Sequence, residues 1–392
     1  MKNQNSEPLR VAQAIRGRVY LMIGLTLIVA SLCFWLPRGQ PYFFSFEHKH
    51  ADMRTALLSP RLDTIYDRLV FVAITEAELE QMTYRSPIDR AWLANLVTTL
   101  DEQDPAVIAI DIQLDQPTEP AKDEKLIQAI RNANTPIVLP AIDSRLKLTE
   151  RQKSYSQAFL SKSGAVSGFV NVPADEDDII RTLPVSVDIE HPHSFPDVTV
   201  RSVTGIMPPK PSFGERIAWL RNLDQKTSVF PGKPASALML KPEAFKLEDK
   251  VVLIGADLPS TDKHKTPFAG EGRVKRGESG SRILAQMIAQ KLDGRRVTML
   301  PSYLEFTLYL IAAMTGLLIA ANPKSLAGKA KIFSILGTAA LITDLLFFKF
   351  FSILIPTAMV LFTLGLAAGL PALYVKFRSW GDWLATKRGG RT

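Results

Sequence analysis

Leu69–Thr75 reads LVFVAIT, a run with no charge and no polar side chain before its closing threonine. Val70, Val72 and Ile74 are β-branched, and so short an apolar run between polar residues is the pattern of a strand buried on both faces. Further along, Pro87–Leu100 sets Ile88, Trp92, Leu93, Leu96, Val97 and Leu100 on one face of a helix. Ala106–Ile112, AVIAIDI, is a second strand with Asp111 near its end. Asp123–Arg131 is a second helix, opened by an acid that suits the positive end of its dipole. Pro136–Ile142, PIVLPAI, is a third strand, Lys250–Ala256, KVVLIGA, another, and Gly280–Leu292 an amphipathic helix. Strands alternating with helices at these spacings predict right-handed crossovers and an α/β domain whose central sheet is mainly parallel and flanked by helices.

The intervening segments are less patterned. Ala165–Asn171 and Ile179–Ile189 are expected to form an antiparallel hairpin across the acidic turn PADEDD. Residues 190–215 show no clear period, Ile217–Asn222 reads as a strand and Ser236–Leu240 as a short helix. Before the first strand, residues 48–65 read as a helix, and Pro37–Glu47 as an interfacial stretch in which Pro37 and Pro41 stop the preceding helix.

Apolar residues make up 46% of the 392-residue chain, and they are concentrated at its two ends. Crossing ~30 Å of hydrocarbon takes about 20 helical residues. Val19–Leu36 carries no charge, Tyr303–Ala321 only Glu305, and the long run Ile332–Val375 breaks around Lys349 and Pro356 into Ile332–Phe351 and Ile353–Val375. Four transmembrane helices are therefore expected, one N-terminal and three C-terminal. The chain divides into residues 1–18, an anchor at 19–36, the α/β domain at 37–302, three spans within 303–375 and a basic tail at 376–392.

The formal charge of +8 first suggests nucleic acid, but its distribution excludes that class. Lys2, Arg10, Arg16 and Arg18 face only Glu7 before the first span, and the loop after the second carries Lys324, Lys329 and Lys331. The tail from Lys376 adds five basic residues against Asp382, whereas residues 37–302 are balanced, with 34 basic and 35 acidic. Lysine and arginine in excess in short flanking segments keep those segments in the cytoplasm. Both termini are expected inside, with the α/β domain outside, in the plasma (inner) membrane of a bacterium. Cys33, the only cysteine, lies within the first span, so the exported domain has no disulfide. Leu32 precedes it where a lipoprotein signal needs a small residue, and no small-x-small cleavage site follows, so the first span is a retained anchor.

The order of these pieces resembles the CHASE-2 family of extracytoplasmic sensor domains. The resemblance is carried by DRLVFVAI (Asp67–Ile74), SPIDRAWLANLV (Ser86–Val97), AVIAIDIQLDQP (Ala106–Pro117) and DEKLIQAI after it. It continues through DDIIRTLPV (Asp177–Val185), KVVLIGAD (Lys250–Asp257), TDKHKTPF (Thr261–Phe268) and RILAQMIAQKLDG (Arg282–Gly294). It implies an input module on the far side of the membrane, with three spans leading to a cytoplasmic output module such as a cyclase, kinase or phosphatase. The tail Lys376–Thr392 is too short for such a module, so a solo member with a separate output partner is expected. Residues 190–215 and the basic, glycine-rich Gly270–Gly280 depart from the family pattern.

Ligands of parallel sheets gather beyond the carboxyl ends of the strands. Asp111 and Asp257 stand there, with Asp115 and Asp262 near them in sequence, and these four with Arg90 are the candidate ligand-binding residues. They also suit a bland role: capping for Asp111 and Asp257, structural ion pairing for Arg90 and for Asp67 with Arg68. His48 and His50, and His191 and His193, are pairs without the third ligand a zinc site needs, and read as surface-loop residues. His264, between Lys263 and Lys265, reads as solvated. GEGRVKRGESG lacks phosphate-loop spacing but offers Arg273, Lys275 and Arg276 to an anionic partner or lipid headgroups. Asp344 is an acid within a span and a candidate coupling residue. No nucleophile–base constellation is visible, so no enzyme, metal or cofactor is expected. The expected partners are the membrane, a small ligand or envelope protein, and a membrane or cytoplasmic output protein, with a homo-oligomer compatible. The rival reading is a scaffold subunit of an envelope complex.

Overall fold

The computed structural model describes residues 6–370 apart from 142, 146, 213, 225, 226, 260, 261, 269–276 and 323. The chain forms two compact units, Thr55–Thr298 and a second one built from the segments on either side of it.

The membrane unit opens with α1 (Ser6–Gly39), and α2 (Pro41–Leu58) follows after a break at Gln40. Pro37 does not stop α1, contrary to expectation; the helix runs two residues past it, and Pro41 instead opens α2. The Pro37 ring removes one N–H bond and crowds the carbonyl four residues back, and α1 ends within two residues of it, at Gly39. The unit boundary falls inside α2, after Arg54.

Thr55–Thr298 continues with β1 (Arg61–Leu62), β2 (Leu69–Ile74), α3 (Glu76–Glu80), α4 (Arg90–Asp101), β3 (Val107–Asp111) and α5 (Pro120–Asn132). Then come β4 (Ile137–Ala141), α6 (Glu150–Ser163), β5 (Val166–Phe169), α7 (Phe195–Thr204), β6 (Arg221–Asn222), β7 (Lys233–Pro234) and α8 (Ala235–Leu240). β8 (Val251–Ala256), β9 (Lys263–His264), β10 (Glu278–Ser279) and α9 (Gly280–Leu292) complete it. The main sheet has six strands in the order β5-β4-β3-β8-β2-β7, every pairing parallel. Val72, Ile108, Val138, Val252 and Ile254 are fully buried, as the unbroken apolar runs predicted.

Helices cover both faces. Leu93, Leu96, Leu100, Leu126, Phe159 and Leu238 bring α4, α5, α6 and α8 onto one face. Phe195, Val198, Ile283, Met287 and Ile288 bring α7 and α9 onto the other. The helices start where side chains satisfy the free N–H groups of a first turn. Asp89 accepts from the amides of Ala91 and Trp92, and Thr149 and Ser194 each form a capping box with the residue three ahead.

Three sequence expectations fail in the middle of this unit. Val166–Phe169 is no hairpin arm but a parallel edge strand on β4, and Ile179 and Thr182 make only isolated bridges. Residues 190–215 contain α7, whose Ser194–Asp197 box was the overlooked signal. Of Ile217–Asn222 only Arg221–Asn222 pairs as a strand, with Arg61–Leu62. Ile217–Leu220 is buried all the same, because glutamines of α9 replace a neighbouring strand. Gln286 bonds both the amide and the carbonyl of Leu220, and Gln290 the amide of Ala218 and the carbonyl of Arg216.

In the membrane unit α10 (Ser302–Ala321), α11 (Leu326–Phe351) and α12 (Thr357–Leu370) follow. Arg16–Gly39 within α1, α10 and α11 are long and apolar enough to cross a membrane. α12 is shorter within the described residues, and the rest of the expected fourth span, 371–375, lies outside them. Cys33, Tyr309, Ala313, Met359 and Ala367 share one core. A Cβ on Gly316 would stand 2.5 Å from the Leu364 carbonyl, so glycine permits the close approach of α10 and α12.

Candidate functional site

The connections change sides at the carboxyl end of β8. α3 and α4 after β2, and α5 after β3, pack on one face, whereas α9 after β8 packs on the other. β8 lies between β2 and β3, so the chain leaves adjacent strand ends in opposite directions, the arrangement that opens ligand crevices in α/β sheets.

Three of the predicted acids meet here. Asp111 Oδ2 accepts from Ser281 Oγ at 2.6 Å. A Cβ on Gly255 would lie 2.1 Å from that hydroxyl oxygen and 3.5 Å from the Asp111 Cβ, so glycine is what lets α9 press against the strand ends. Burial pushes the Asp111 carboxyl up to about 6; Asp262 adds to the rise and the Ser281 hydrogen bond opposes it. Asp257 accepts from Arg282 Nη2 at 2.6 Å and from Lys263 Nζ at 3.2 Å. Asp262, in the left-handed region with φ 53°, accepts from the Gly280 amide at 3.0 Å and pairs with His264 at 2.9 Å. That contact raises the affinity of the His264 ring for a proton, so this histidine is an ion-pair partner rather than simply solvated.

Asp115 and Arg90 lie apart from this group. Asp115 accepts from Gln152 of α6 at 2.8 Å. Arg90 is fully buried, and none of its guanidinium nitrogens has a hydrogen-bond partner among the described residues. Its nearest counter-charge is Asp123 at 3.8 Å, a carboxylate already bonded by Thr118 and Tyr155. Arg273, Lys275 and Arg276 lie outside the described residues.

Asp344 belongs to a second charged group, inside the membrane unit. Only 1% exposed, it accepts a hydrogen bond from Arg54 Nη1, which also donates to the Ile355 carbonyl at 2.8 Å. Glu47 stands 3.6 Å from Arg54 Nη2 and accepts from the Met359 amide at 3.1 Å, and His50 Nε2 lies 3.9 Å from Asp344. Burial holds the His50 ring below its usual affinity for a proton; Arg54 adds to this and Asp344 opposes it. His48 and His50 are thus packed side chains of α2, not surface-loop residues. Among the described residues no group of three or more histidine, cysteine or acidic side chains could hold a metal ion.

Sequence reading missed Ser281, Arg282, Glu47 and Arg54. For the last two a signal existed: Glu47, His50 and Arg54 are spaced i, i+3 and i+7, one face of a helix beside a span.

A family model described as the CHASE2 domain matches residues 25–320, from within α1 to the end of α10. No curated protein and no solved structure gives a significant match to the chain.

Proposed function

Because the chain belongs to the CHASE2 domain family, a family of extracellular sensor domains, we propose that it is a membrane-anchored sensor. In this reading residues 37–302 bind a ligand or envelope protein outside the cytoplasm, and the helices carry the bound state to a separate partner. The membrane is the bacterial inner membrane, with both chain ends in the cytoplasm, as the basic flanks require.

The observation that carries the reading is the buried Arg54–Asp344 pair. Sinking two charges among apolar helices costs several kcal/mol of desolvation, so such groups are rare in membranes and mark functional positions. Arg54 lies on α2, and α2 continues into the α/β unit as one helix. A shift of α2 would strain or re-form the pair, which gives the spans two discrete arrangements for a ligand to choose between. A ligand moves such an equilibrium only by its differential affinity for the two states.

Spin labels at Met53 of α2 and Phe347 of α11, with Cys33 replaced by serine, test this in liposomes. Amino acids, sugars and divalent cations, added in turn to the side exposing the α/β unit, should include a solute that redistributes two label distances. One distance that no solute changes would contradict the sensor reading.

A further inference from the structure

Trp219–Asn222, Thr227–Phe230 and the first turns of α9 line a cavity of about 80 Å³. Trp219, Phe230 and Phe268 supply aromatic walls, and Glu278 and Arg282 a charged end. Arg282 commits Nη2 to Asp257. Its Nη1 donates to nothing among the described residues and stands 3.8 Å from Glu278 Oε2. The Glu278 carboxylate likewise accepts no hydrogen bond among the described residues. A direct guanidinium–carboxylate bond closes to about 2.8 Å. This pair stays open, presenting one cationic donor and one anionic acceptor on the wall of the same small cavity. Burial holds the Glu278 carboxyl above its usual range, a sign of an acid short of partners.

We propose that this cavity binds a small zwitterionic α-amino acid. Its carboxylate bonds Arg282 Nη1, its ammonium bonds Glu278, and its side chain packs on Trp219, Phe230 and Phe268. A site with one charge of each sign matches a zwitterion, whereas a simple anion would face Glu278 and a simple cation would face Arg282. At about 10–15 Å³ per water-sized position, the space holds roughly five to eight of them, the size of glycine, alanine or serine. The cavity wall also reaches α2, because Arg221, stacked 4.6 Å from the Phe268 ring centroid, donates to the Ala56 carbonyl at 2.7 Å. The proposal rests on the sensor reading and names its ligand class.

The test uses the full chain in nanodiscs at pH 7, its thermal unfolding followed with millimolar glycine, L-alanine or L-serine, and with acetate or methylamine as single-charge controls. At least one amino acid should raise the unfolding temperature while neither control does, since a ligand bound only by the native state stabilises it. Glu278→Gln and Arg282→Gln should each weaken the response at least about tenfold. Glu278→Gln removes no hydrogen bond from the protein, so its ligand-free unfolding temperature should stay near that of the parent. A response to none of the three amino acids, an equal response to acetate or methylamine, or full retention in Glu278→Gln would overturn the site. If none of the three amino acids gives a response but another class of solute moves the Met53–Phe347 distances, the site falls and the sensor stands. An amino acid that binds as described without moving them leaves the site standing and removes the sensor.

Discussion

Asp111 is a residue of the α/β unit whose acid chemistry the fold alters. Its carboxyl ionises near 6 in the folded chain, against roughly 4 when unfolded. The native state therefore holds the proton more tightly, and stability contributed by the neutral acid is lost as pH rises from about 4 through about 6. Asp111→Asn, which keeps an acceptor for Ser281, should stabilise the chain at pH 7 by about 2–3 kcal/mol, with the gain vanishing below pH 4. Denaturant unfolding of parent and variant across that range measures it; a gain independent of pH would mean that Asp111 is not the titrating group. This position was legible in the sequence, since an acid closing an apolar strand had to lie at the sheet's carboxyl end. Its neighbours were not. Arg282 and Ser281 sit in the first turn of an amphipathic helix, where polar residues are ordinary, and only the packing of α9 against Gly255 brings them to Asp111 and Asp257.

Among the elements, the strands could be read wherever burial on both faces dictated their composition: β2, β3, β4 and β8 fall where their β-branched runs stand. Elements stabilised from outside themselves were not legible. Ile217–Leu220 carries strand composition but is held by the glutamine side chains of α9, and the two-residue edge strand β7 is too short to carry a period. The contact between α2 and α11 was hidden for a similar reason, because Arg54 and Asp344 are 290 residues apart. Removing the Asp344 charge takes the anionic acceptor from the buried Arg54 Nη1 and leaves Glu47, 3.6 Å from Nη2, as the remaining counter-charge. Asp344→Asn should therefore destabilise the membrane unit by about 3–5 kcal/mol, and the double change Arg54→Met with Asp344→Leu by much less. Thermal unfolding in detergent compares the two; a double variant as damaged as the single one would show that the charges themselves are not the issue.

For the molecule as a whole, the proposed sensor needs the α/β unit on the far side of the membrane from the loop between α10 and α11. The apolar helices on either side of the α/β unit are long enough to cross a membrane, and the proposed orientation follows from the excess of basic residues in the short flanking segments. A cysteine placed at the exposed Glu248 of the α/β unit, or at the exposed Lys324 between α10 and α11, reports this directly once Cys33 is changed to serine. In intact spheroplasts a membrane-impermeant maleimide should label the Glu248 position at once and the Lys324 position only after lysis. Labelling of the Lys324 position in unbroken cells, with the Glu248 position protected, would contradict the account.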